Sequence, residues 1–192
     1  CEWQGPGTGN WEHHFGMATS SISLGATAPT FTLQALGSGR SVSQLGDAPL
    51  LLVFHDQNTV DKVQAMQQAV RTEYSDARQL QIASVVNMKP VPVFLRSTAE
   101  SVMKGSYAKA AAAMPPGLDA ADYVVILLDW DGKVSQAYGA HKIERRPRLV
   151  LLDAAGIVRG VHQGEEIEQA ALAMVAELLG PSPTSQDSSP QA

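Results

Sequence analysis

Side chains able to do chemistry fall in a few places along this 192-residue chain. His55 and Asp56 follow the apolar run Leu50–Phe54 and precede Gln57, Asn58 and Thr59. A histidine titrates near neutral pH, so His55 is a candidate general base or metal ligand, and with Asp56 a candidate metal or small-molecule site. No nucleophile accompanies it in the sequence, so a strand-end histidine bonded to backbone is the simpler reading. Glu12, His13 and His14 carry zinc- and copper-binding groups. Adjacent residues do not easily converge on one ion, however, and nothing in the sequence ties His141 or His162 to them. Asp129 and Asp131 flank Trp130 ahead of Gly132. Two carboxylates alone fall short of a Ca²⁺ ligand set, and a turn explains them. The segment His141–Arg148 holds Lys142, Arg145, Arg146 and Arg148, out of 14 Lys and Arg in the chain. These cations are suited to an anionic surface, carboxylate or phosphate, with local pairing to Glu144 as the alternative. The chain has 1 cysteine, Cys1. An intrachain disulfide, a Cys-x-x-Cys pair and a cysteine-based zinc cage are therefore excluded.

Composition narrows the function classes further. The charged fraction is 17% and the net charge −5, which offers no footprint for nucleic acid. An apolar fraction of 44% predicts a folded globular body. No apolar run approaches the roughly 20 residues of a membrane helix. Residues 1–23, Gly-rich and then small and polar, read as a flexible leader. The Pro/Ser-rich residues 181–192 read as a disordered tail, which leaves 24–180 as the folded domain.

Within that body the patterning predicts the elements that position these groups. Phe31 and Leu33 alternate with threonines, and Gly37-Ser38-Gly39 turns the chain toward a return strand at Ser41–Ser43. Leu50–Phe54 has the unbroken apolar character of a strand buried on both faces. Val63, Met66, Val70 and Tyr74 recur at helical spacing after a candidate N-cap at Asn58 or Thr59. Strands are expected at Leu80–Val86 and Tyr123–Leu128. An Ala-rich helix is expected over Val93–Met114, before Pro115, and a short one over Val134–Tyr138. A hairpin over Leu149–His162 and an amphipathic helix over Glu165–Leu179 complete the order. The arrangement predicts an α/β sandwich with a mixed sheet.

That order resembles the thioredoxin-like redoxin superfamily, in its branch of thiol peroxidases and membrane-tethered thiol–disulfide reductases. The matching stretches are Gly25–Leu33, Leu50–Phe54 with the following helix, and above all Leu127–Gly164. The resemblance implies a three-layer α/β sandwich with a mixed central sheet, an N-terminal hairpin and Val93–Met114 as an inserted helix. It places a proline before the penultimate strand, where Pro147 stands, and implies a cis peptide there. It also places the reactive Cys-x-x-Cys at the start of the helix after Phe54. Here those positions are Thr59 and Lys62. The Pro-x-x-x-Thr-x-x-Cys loop of thiol peroxidases is missing as well. A hydroxyl cannot replace a thiolate in disulfide exchange.

The expectation is therefore a degenerate, non-catalytic member of that superfamily that binds protein partners and needs no cofactor. Its former active-site surface would be the contact face: His55, Asp56, Gln57, Asn58, Lys142, Arg145 and Arg146, with Thr59, Lys62 and Pro147 at the degenerate positions. Cys1 followed by a Gly-containing tether has the layout of a processed bacterial lipoprotein. Lipidation there would place the chain outside the cytoplasm, on a membrane, as an accessory or assembly subunit of a membrane-associated complex. The alternative is an oxidoreductase-like role through Cys1, or through a metal or small molecule at His55 and Asp56.

Overall fold

A computed structural model describes residues 22–181. The expected leader and tail lie almost wholly outside these residues, and with them Cys1, Glu12, His13 and His14. A five-stranded sheet in the order β5-β4-β3-β6-β7 forms the centre. Its strands are β3 (Leu50–His55), β4 (Gln81–Asn87), β5 (Val125–Asp129), β6 (Arg148–Leu152) and β7 (Val158–Gln163). β3 pairs in parallel with β4 and antiparallel with β6, so the sheet is mixed. A small antiparallel hairpin, β1 (Thr32–Gln34) with β2 (Ser41–Ser43), lies beside it.

The apolar run of β3 becomes the middle strand because both of its faces are covered. Leu50, Leu52 and Phe54 join a cluster with Phe31, Val42, Tyr138 and Val150 on one side. Leu51 and Val53 join a cluster with Val63, Met66, Val70, Ala171 and Val175 on the other. That second cluster is the contact of α1 (Val60–Glu73) and α5 (Ile167–Leu179) with the sheet. Helix, sheet, and hairpin with α4 (Lys133–Ala137) make the three layers.

The inserted segment is shorter as a helix than expected. Pro92 leads a 3-10 turn at Val93–Leu95, and α2 then runs Arg96–Ala112. It is a covering helix: Ala99, Met103 and Tyr107, four residues apart, pack on Leu36, Met88 and Leu128. Gly37 lets it dock, since a Cβ there would sit 2.3 Å from the Tyr107 ring. A further helix that the sequence patterning does not predict, α3 (Ala120–Tyr123), starts where the Asp119 carboxylate accepts from the Ala121 N–H at 2.9 Å. No cis peptide occurs among the described residues. The bond before Pro147 is thus trans, the lower-energy form of an X–Pro bond, where the resemblance implied cis.

Candidate functional site

The sheet brings the candidate residues to one edge. Phe54 of β3 pairs with Arg148 of β6, and Arg148 with Gln163 of β7. His55 and Asp56 leave β3 at the point where the loop ending in Pro147 enters β6. The segment Asp56–Lys62 and the basic loop 139–147 therefore flank a common edge.

At the β3 exit, His55 is buried. Its Nδ1 lies 3.0 Å from the Asp56 carbonyl oxygen, which can only accept, so Nδ1 donates. Nε2 is buried with no partner. Burial pushes the imidazole below its usual value, against smaller opposing contributions from the Asp56 carbonyl and carboxylate. His55 is thus a neutral strand-end histidine bonded to backbone. The Asp56 carboxylate turns away from it to accept from the Asn58 N–H and side-chain amide, both at 2.9 Å. A His–Asp dyad is not assembled, and no group of three His, Cys, Asp or Glu side chains converges for a metal among the described residues.

A pH dependence follows from the buried imidazole. The folded-state pKa is lowered, so the unfolded chain takes up a proton first as pH falls below about 6.5. Stability from this group is complete above that value and is lost as pH drops toward the folded-state pKa. Urea unfolding between pH 7 and 5 should show a decline with a limiting slope of about 1.4 kcal/mol per pH unit. His55→Phe should flatten it, and an unchanged slope would assign the loss to other groups.

Thr59 stands at the N-cap of α1, but its hydroxyl does not cap the helix. It reaches back to the Asp56 carbonyl and carboxylate at 3.4 and 3.5 Å. Thr59 is buried, and Lys62 is exposed on the first turn. The first-turn N–H groups of a helix carry partial positive charge, the environment that would favour a thiolate. Neither side chain here supplies one.

Across the edge, Lys142, Arg145 and Arg146 are exposed and Pro147 is buried. Glu144 forms no ion pair with any of them, contrary to the alternative of local pairing. Gln163, which no motif in the sequence singles out, organises this side. It accepts from Arg148 Nη1 at 3.2 Å and donates to the carbonyls of His141 and Arg146. It fastens the loop to the sheet, and Arg148 lies beneath it. At the turn after β5, Asp129 is fully buried and accepts the Ser135 N–H at 2.7 Å, while Asp131 pairs with Lys133 at 2.8 Å. Both carboxylates thereby help start α4.

No protein-family model and no curated protein sequence matches this chain. Solved structures do. An exposed lipoprotein thioredoxin from Streptococcus pneumoniae superposes with a TM-score of 0.52 at 18% identity, over 78% of this chain and 99% of its own. A thiol-disulfide oxidoreductase from Bacteroides fragilis gives 0.53 at 17% identity, over 80% and 100%. The thioredoxin domain of a thiol-disulfide oxidoreductase from Bacteroides vulgatus gives 0.53 at 16%, over 81% and 99%. At such identities the likeness speaks to architecture, and it agrees with the strand order and layers described above. The chain has the thioredoxin fold, with threonine and lysine at the two positions where the sequence resemblance puts the reactive cysteines.

Proposed function

We propose that this chain is a thioredoxin-fold binding module that performs no dithiol or peroxide chemistry. The observation that carries the reading is the first turn of α1, where Thr59 and Lys62 stand in a chain whose one cysteine is Cys1. The edge between Asp56–Lys62 and Lys142, Arg145 and Arg146 is the proposed contact face for a protein partner. Export, lipid on Cys1 and service as an accessory subunit of a membrane complex form the finer part of the proposal. Their support is that one fold neighbour is named an exposed lipoprotein.

A second reading is favoured by the names of the neighbours, which are thioredoxins and thiol-disulfide oxidoreductases. In it the chain acts by mixed disulfide through Cys1, or holds a metal or small molecule near His55 and Asp56. Insulin reduction and hydroperoxide consumption by the purified chain separate the two. The binding reading expects both at the level of the blank. Turnover that disappears in Cys1→Ser would establish the second. Intact mass of the native protein bears on the same point, because a thioether-linked acylglycerol on Cys1 leaves no thiol to react.

A further inference from the structure

We infer that the edge formed by Arg148, Gln163 and the loop 139–147 is a carboxylate-binding site for an acidic polypeptide segment. The inference rests on the contact role proposed above for this loop and names the chemistry of what it contacts.

Arg148 is the anchor. Its guanidinium is half-buried, and Nη1 is held by the neutral amide of Gln163 at 3.2 Å. Nε is buried without a partner. Burial lowers the tendency of the group to stay charged, and no carboxylate offsets this. An ion pair from outside the chain would do so. Gly139, at φ +63°, lies beside the guanidinium, where a Cβ would come to 3.4 Å from Nη2.

The loop supplies the rim. Lys142, Arg145 and Arg146 are exposed, and none belongs to an ion pair among the described residues. Arg145 and Arg146 both donate their N–H to the Lys142 carbonyl at 3.3 Å, which gathers the three cations on one turn. Lys142 has φ +55°, the one non-glycine residue with positive φ among those described. A side chain disfavours that conformation, and glycine would relax it. A lysine held there by the Gln163 clamp keeps its charge at the rim despite the backbone cost.

The chemistry favours carboxylates on a chain. With Nη1 on Gln163 and Nε buried, Nη2 is the donor left to an incoming carboxylate, with which it would make a charge-assisted hydrogen bond. Three exposed cations spread along a turn suit several carboxylates in sequence better than one compact anion. The chain as a whole carries −5, so a basic edge is also where an acidic segment is steered.

Fluorescence anisotropy of a labelled oligoglutamate peptide with the full chain, at low salt, tests this. Saturable binding is expected, weakened by added salt, with none to the oligoglutamine counterpart. Arg148→Gln should weaken it about tenfold. The exposed pair Arg145→Gln/Arg146→Gln, which does not threaten folding, should weaken it about fivefold. Lys142→Gly should weaken it while leaving the melting temperature unchanged or higher, which a purely structural role for Lys142 would not produce. Lys104→Gln/Lys109→Gln on α2 should leave binding as it was. Absence of saturable binding would overturn the inference, as would equal loss in the α2 control. Displacement by inorganic phosphate would reassign the edge to phosphate. Capture by phosphatidylglycerol vesicles without capture by oligoglutamate would reassign it to lipid headgroups. None of these outcomes bears on the insulin and hydroperoxide assays, so the non-catalytic reading stands or falls separately.

Discussion

Thr59→Cys combined with Lys62→Cys is expected to give this chain, which has one cysteine, an internal dithiol activity. The two positions lie three apart across the N-cap and first turn of α1, so their side chains share one side of the helix end. The N–H groups of that turn, with the helix dipole, lower the pKa of a thiol placed there and raise its thiolate fraction. The Lys62 position is exposed, as the attacking sulfur requires, while the Thr59 position is buried. The substituted chain should therefore form an internal disulfide under mild oxidation, seen as the loss of two titratable thiols. In reduced form it should reduce insulin at least tenfold faster than the parent, a difference of about 1.4 kcal/mol or more in barrier. Failure to form the disulfide would place the correspondence with the reactive cysteines at other residues. Each single variant, made with Cys1→Ser so that one thiol remains, should leave insulin untouched by catalytic turnover, because a lone thiol cannot resolve its own mixed disulfide.

The largest stability effect is expected at Tyr138. Its side chain is fully buried, edge-on to Phe31 at 5.7 Å and tilted against Phe54 at 5.5 Å. Its hydroxyl donates to the Pro29 carbonyl at 2.8 Å. The ring thus ties α4, the central strand and the N-terminal segment together. Tyr138→Ala removes an aromatic from a packed interior and should cost about 3–5 kcal/mol. Against a total of about 5–15 kcal/mol for a domain, that brings the chain close to unfolding. Tyr138→Phe keeps the ring and loses one hydrogen bond, at about 1 kcal/mol. Urea unfolding of the three proteins measures both, and equal losses in the two variants would refute the packing argument. Burial also pushes the Tyr138 phenol well above its ordinary value. A raised folded-state pKa keeps its contribution whole below pH ~10 and loses it as pH rises beyond that. Tyr138→Phe should unfold with a shallower alkaline decline than the parent.

Much of the scaffold was legible in the chain because single side chains carry unambiguous patterns. Five consecutive large apolar residues at Leu50–Phe54 satisfy water exclusion only in a strand covered on both sides, and β3 is that strand. Val63, Met66 and Val70 repeat at the helical period, and they are the buried face of α1. Where local rules compete, the sequence misled. Val93 and the residues after it read as the start of a long helix, yet the first turn is 3-10. Thr59 has the chemistry of a cap, yet Asp56 offers its hydroxyl two oxygens and takes it out of that role.

The absence of thiols at positions 59 and 62 is a matter of composition. No packing can turn a threonine or a lysine into a thiol, so that conclusion needed only the residues. The carboxylate site is different. Counting back from the turn between β6 and β7, where Leu152 pairs with Val158, would put Arg148 opposite His162. A register shift between Leu151 and Leu152 moves the pairing by one, so Arg148 meets Gln163 and His162 meets Leu149. One residue of slip exchanges the faces of a strand. It delivers an amide to the guanidinium and a clamp to the basic loop. That slip is decided by how β6 packs between β3 and β7 over both faces of the core, a condition that only the assembled sheet imposes.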